Sequence, residues 1–168
     1  MRRSLASLLL LVAIPAAAST FVETSVEETA RSSDAVVHGT VLSATSRMTQ
    51  DGRRVVTEVE IAVDGTWKGA TEPVVRVIVP GGRVGRIAQI VDAAATFEEG
   101  EEVVVFLARR GTTWRVMGHA LGKYRVDGAE ARPALERAEV LPRAIAPGER
   151  AVGPMPVTEL ERRVREAR

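Results

Sequence analysis

Residues 35–68 read AVVHGTVLSATSRMTQDGRRVVTEVEIAVDGTWK, two strand-like runs joined across Asp51-Gly52. In the second run Val55, Thr57, Val59, Ile61 and Val63 take the odd positions, and Glu58, Glu60 and Asp64 fall among the even ones. Successive side chains of a strand point to opposite faces, so this alternation makes one face apolar and the other wet. Asp-Gly between two such runs is a strong hairpin signal, because both central residues of a type I′ turn need positive φ. The spacing therefore predicts a β-hairpin. None of its residues carries an obvious chemistry, so it specifies a scaffold and leaves activity open.

Further strands follow the hairpin. Gly65 and the turn Lys68-Gly69-Ala70 lead to an apolar run over residues 74–79, which Pro80-Gly81-Gly82 stops. Residues 101–109 read as a strand whose centre, Val103-Val104-Val105-Phe106-Leu107, is apolar on both faces, as in a strand covered on both sides. Trp114-Arg115-Val116-Met117 and Tyr124-Arg125-Val126 continue the series, and Asp127-Gly128 is another hairpin signal. About six short strands with glycine-rich turns predict a mainly all-β fold, a barrel or a sandwich. Residues 83–100 leave two readings open. Ile87, Ile90 and Val91 mark one face of a helix, or the same segment runs extended. Upstream, Ser25-Val26-Glu27-Glu28 fits a capping box and predicts a short helix ending near Ser32-Ser33-Asp34. Gly39 predicts a bend or bulge in the first strand.

The ends of the chain differ from this middle. Arg2 and Arg3 precede the apolar run from Leu8 to Ile14, Pro15 breaks it, and Ala16-Ala17-Ala18 supplies small residues. That three-part pattern is a secretory signal peptide, residues 1–18, cut before Ser19. The run is short for crossing ~30 Å of hydrocarbon, and the absence of cysteine excludes lipid acylation on a thiol. Losing Arg2 and Arg3 from the 23 basic residues leaves 21 against 22 acidic ones, a near-neutral mature chain with no global bias toward nucleic acid or acidic membrane. About 150 residues suit one domain with a sizeable core, here unsupported by disulfides. The expected organisation is a signal peptide at 1–18, a β-barrel domain at 19–132 and a proline-rich tail at 133–168. In that tail Thr158-Glu159-Leu160-Glu161 fits a second capping box, predicting a helix over 159–166. Leu160 and Val164 offer it little apolar area, so a solvated amphipathic helix with Arg162, Arg163, Arg165 and Arg168 is the expectation.

Catalytic motifs are missing. Pro80-Gly81-Gly82-Arg83-Val84-Gly85-Arg86 looks like a phosphate-cradling loop but has neither the Gly-Lys-Ser/Thr ending of a P-loop nor a dinucleotide fingerprint. Its glycines fit a tight turn, with Arg83 and Arg86 placed to meet an anionic ligand. His38 and His119 are the only histidines, 81 residues apart, and thiolates are absent, which is poor material for zinc. Glu98, Glu99, Glu101 and Glu102 lack the loop pattern of a calcium site and read as a solvated turn. Ser19, Ser25 and Ser43 stand in no nucleophile elbow. Trp67, Trp114, Phe97, Phe106 and Tyr124 sit in strand-like surroundings and read as core, not as a stacking platform for nucleic acid.

Three segments carry a family resemblance: SDAVVHGTV at 33–41, VEIAVDGTWKG at 59–69 and FEEGEEVVVFL at 97–107. They resemble a set of small exported bacterial proteins of unknown function. More distantly they are similar to the netrin-like barrels of the oligonucleotide/oligosaccharide-binding (OB) type, which include the tissue inhibitors of metalloproteinases. The resemblance spans about Ser33 to Val126 and implies a five- or six-stranded OB-like barrel with a short N-terminal and a C-terminal helix. The inhibitors of that family chelate a protease zinc through a free N-terminal cysteine. Here the mature start is Ser19-Thr20-Phe21, which has the amine and carbonyl but not the cysteine.

These observations lead to an exported, non-enzymatic binding module of the periplasm or the medium. No catalytic, cofactor or metal site is assigned. The expected partner is a protein of the envelope or medium, with no nucleic acid and no stable membrane insertion after cleavage. Ser19, Thr20, Phe21, Arg83 and Arg86 are the candidate partner contacts. Two alternatives stand beside this reading: an inhibitor or accessory factor of a secreted protease acting through the mature N-terminus, and a small hydrolase.

Overall fold

The computed structural model of the protein describes residues 19–135 and 138–167, so the expected signal peptide and Arg168 lie outside the described residues. In chain order the first elements are β1 (Ser19–Val22), α1 (Val26–Ser32), β2 (Ala35–Met48), β3 (Val55–Lys68) and β4 (Val74–Pro80). A small hairpin of β5 (Gly82–Val84) and β6 (Ile87–Gln89) comes next, then β7 (Glu102–Arg110), β8 (Thr113–Val116) and a 3₁₀ turn at His119–Gly122. The chain finishes with β9 (Lys123–Asp127), β10 (Glu130–Pro133), β11 (Ala138–Leu141), β12 (Met155–Pro156) and α2 (Val157–Glu166).

The predicted hairpin is the spine of the molecule. β2 and β3 pair antiparallel from Val36↔Lys68 to Met48↔Val55. Its turn differs from the expected two-residue loop. Residues 49–54 close it, with the Gly52 amide donating to the Thr49 carbonyl and the Thr49 amide to that of Arg54. Only Gly52 takes a positive φ there, +65°, so Asp51 keeps an ordinary backbone and uses its carboxylate to accept from the Thr49 hydroxyl and the Arg53 amide. The register slips at His38/Gly39, where a Cβ on Gly39 would sit 2.0 Å from the Ala62 carbonyl oxygen. The predicted bulge is present.

Eight strands form one sheet in the order β12-β10-β9-β7-β2-β3-β4-β8, and β8 also pairs with β7. Hydrogen bonding therefore runs in a ring through β7, β2, β3, β4 and β8. The six strand segments read from the sequence correspond to β2, β3, β4, β7, β8 and β9. The ring is filled by Val37, Val41, Val59, Ile61, Val75, Val77, Val105, Leu107 and Trp114 among others. The alternate residues face outward: Val36, Trp67, Val104, Phe106 and Tyr124 build a second cluster with Val26 and Ala30 of α1 and Met155, Leu160 and Val164 of α2. β7 lies between the two clusters, which is why Val103 to Leu107 are all fully buried. Burial pushes the Tyr124 phenol above its ordinary 10.0.

Both capping boxes need correction. At α1 the Ser25 hydroxyl accepts from the Glu28 amide as predicted, but the Glu28 carboxylate accepts from the Thr24 hydroxyl instead of reaching back. α2 begins at Val157, with Pro156 as N-cap and no side-chain cap. β12 feeds the chain straight into this helix, and the Val157 amide finds its partner in the Ala129 carbonyl. Nor is α2 a solvated helix, since Leu160 and Val164 are buried against α1 and the sheet. Its arginines are spent locally, Arg162 on Glu159 and Glu166, Arg163 on Glu159 and Glu27, and Arg165 on Glu161. Among the described residues no helix is long and apolar enough to cross a membrane.

Candidate functional site

Residues 83–100 resolve the open choice in favour of an extended hairpin followed by a loop. Pro80 ends β4, and Gly81 and Gly82 turn the chain back across the far end of β2 and β3. Gly82 has φ +129°, and a Cβ there would fall 2.3 Å from Ser46 Oγ and 2.4 Å from Thr57 Oγ1, so only glycine lets the base of the hairpin lie on these hydroxyls. Four hydrogen bonds fasten it: Gly81 amide to Val55 carbonyl (2.9 Å), Thr57 hydroxyl to Gly81 carbonyl (2.8 Å), Arg83 amide to Ser46 Oγ (3.2 Å), and Val55 amide to Gln89 Oε1 (2.7 Å). β5 and β6 pair across the tight turn Gly85-Arg86.

This braced flap holds Arg83 and Arg86 in water together with two large apolar side chains, Ile87 (55 % exposed) and Ile90 (84 % exposed). Arg53 and Arg54, at the tip of the β2–β3 hairpin beside Val55, share this end of the molecule and are exposed as well. Among the described residues none of these four arginines forms an ion pair. Their neighbours up the sheet differ, since Glu58 and Glu60 neutralise Arg47 and Arg76. Asp51, the acid nearest the hairpin tip, is engaged by Thr49 and by the Arg53 amide. Those hydrogen bonds, with the charge of Arg54, hold its carboxyl below the usual range. The sequence reading found Arg83 and Arg86 and missed Arg53, Arg54, Ile87 and Ile90. The adjacent Arg-Arg directly after a turn glycine was the available signal.

The other candidate contacts lie elsewhere. Ser19, Thr20 and Phe21 belong to β1, which pairs in parallel with β11 from Ser19↔Ala138 to Val22↔Leu141. They and the flap arginines thus sit in two separate small sheets. His38 is on the outer face of β2, its Nε2 2.7 Å from Glu102 Oε1 and its ring 5.6 Å from that of Trp67. His119 is exposed at the start of the 3₁₀ turn. Among the described residues no three His, Asp or Glu side chains converge as metal ligands.

Of the four glutamates expected in a solvated turn, Glu98, Glu99 and Glu102 are exposed as expected, and Glu101 is not. Glu101 is buried and accepts from Lys123 Nζ through both oxygens at 2.7 Å and from Arg125 Nε at 2.7 Å. Lys123 also donates to the Thr96 carbonyl and lies 4.5 Å over the Phe97 ring. Burial would raise the Glu101 carboxyl, but the hydrogen bonds from Lys123 and Arg125 prevail and hold it below its ordinary value. Burial pulls the Lys123 ammonium down, against the pull of Glu101. The cluster staples the loop over residues 96–101 onto β9 and offers a ligand no open coordination.

The fold and this site define a β-rich protein, a ring-closed sheet backed by two helices, with a cationic and apolar flap at one end. No protein-family model matches the chain, and neither a curated protein nor a solved structure matches it.

Proposed function

We propose that the mature chain is an exported, non-enzymatic binding module on an OB-type barrel scaffold, with the flap end as its binding face. The observation that carries this is the braced hairpin that keeps Arg83, Arg86, Ile87 and Ile90 exposed beside Arg53 and Arg54. Exposed isoleucines do nothing for folding stability and cost solubility, so a rigid element that presents two of them among unpaired arginines fits a contact surface. The scaffold assignment is supported by the five-strand ring and by the resemblance of residues 33–126 to netrin-like barrels. Export, to the periplasm or the medium, is supported by the pattern of residues 1–18. The protease-inhibitor alternative is weaker, because Ser19–Val22 would first have to leave β11 to enter a cleft.

The test is retention of envelope or medium components on immobilised mature protein, wild type against Arg83→Glu/Arg86→Glu. Both arginines are exposed, so the variant keeps its fold, which circular dichroism verifies. Material held by the wild type and released by the variant is the expected result. Equal retention by both, or none by either, overturns the proposal.

A further inference from the structure

Building on that reading of the flap as a binding face, we infer that its partner is the surface of an anionic phospholipid bilayer, on which the protein docks peripherally. The chain is near neutral overall, but its charge is unevenly placed. Arg53, Arg54, Arg83 and Arg86 gather at one end, where the carboxylate of Asp51 is already held by the Thr49 hydroxyl and the Arg53 amide. Guanidinium groups bind phosphate oxygens in a planar, two-pronged manner, which suits lipid headgroups. Arginines alone would serve equally for a soluble polyanion. The isoleucines decide between them: Ile87 and Ile90 stand out of the same hairpin largely exposed, and a headgroup–acyl boundary is the anionic environment that also takes up apolar side chains. A protein partner is less well matched. A stable protein interface buries roughly 800 Å² on each side, and two isoleucines at a hairpin tip present a narrow wedge instead of a broad face. The four braces at the base mean that little ordering is required on docking.

The experiment is co-sedimentation of the mature protein with vesicles of phosphatidylcholine alone or enriched in phosphatidylglycerol. Wild type is expected to pellet only with the anionic vesicles, and less so as salt rises. Arg86→Glu should weaken this binding about tenfold or more. Arg110→Glu, the same charge change at the opposite end of the ring, should leave it within about twofold. Ile87→Ser/Ile90→Ser should also weaken vesicle binding strongly. Overturning results are no pelleting with anionic vesicles, equal losses for Arg86→Glu and Arg110→Glu, or an unaffected Ile87→Ser/Ile90→Ser variant, which would mark a headgroup-only polyanion site. If vesicles fail but flap-dependent retention of a protease-sensitive partner persists, the bilayer inference falls and the binding module stands. If flap-dependent retention fails as well, both fall.

Discussion

The chain has two lysines among its basic residues, and the ammonium of each is tied to acceptors of the fold. Lys68 Nζ donates to the carbonyls of Ala30 (2.6 Å), Arg31 (3.2 Å) and Ser33 (2.8 Å), where α1 leaves its last acceptors unpaired. Three convergent carbonyls suit a compact ammonium with three donors, whereas the flat fork of arginine does not match them. Lys123 meets the same demand, donating to both oxygens of Glu101 and to the Thr96 carbonyl. Composition alone gave no sign of this, since the scarcity of lysine reads first as codon usage. Glu101 and Lys123 make a pH prediction. The Glu101 carboxyl is held below its ordinary 4.5, so its contribution to stability is present above that value and is lost as pH falls through the lowered folded pKa. Lys123, also held below its ordinary 10.5, acts in the same sense at the alkaline end, where its desolvation penalty is relieved as pH rises through the lowered folded pKa. Glu101→Gln should cost about 3 kcal/mol near neutrality, because Lys123 stays charged and buried without a counter-ion. Thermal melts of wild type and variant, taken from neutral pH to below 4.5, should converge as Glu101 is protonated. A gap that stays constant with pH would show that the carboxylate charge contributes nothing.

At the scale of elements, local signals proved legible where the chain satisfies itself locally. The alternation of Val55, Val59 and Ile61 does place those residues in the core. The Ser25 cap forms for the same reason, its donor being only three residues away. The flap was illegible because its three-residue strands are shorter than any periodicity, and because its anchors, Ser46, Val55 and Thr57, lie tens of residues upstream. Its rigidity comes from Gly82. Gly82→Ala would place a Cβ against Ser46 Oγ and Thr57 Oγ1 in a backbone conformation that alanine resists, at a cost of about 1–3 kcal/mol. That cost should fall on the flap and leave the ring intact. Limited trypsin digestion should therefore cut after Arg83 and Arg86 faster in Gly82→Ala, with little change in the melting temperature. Unchanged cleavage would mean that the braces do not depend on this glycine.

Across the whole molecule, β7 couples two cores. Val103, Val105 and Leu107 point into the ring, while Val104 and Phe106 point to the cluster under α1 and α2. The two-faced apolar run was visible in the sequence and required a cover on its outer side. What supplies that cover, Leu160 and Val164 of a helix more than fifty residues downstream, was hidden by how little apolar area the helix carries by itself. Closure of the ring by β8 against both β4 and β7 was equally hidden, since no local pattern encodes a pairing between distant strands. The shared strand implies that neither core unfolds alone. Losing the outer cluster would strip Val104 and Phe106 of their cover, and losing the inner one would remove the strand on which the helices rest. Nature has placed one tryptophan in each, Trp67 in the outer cluster and Trp114 in the ring. Trp114→Phe and Trp67→Phe therefore leave a single reporter of each core. Denaturant titrations followed by fluorescence should give coincident normalised transitions when each variant is compared with its own circular dichroism. If the Trp67 signal is instead lost at lower denaturant than the circular dichroism of the same protein, the helices and their cluster form a separate unit and β7 does not couple the two cores.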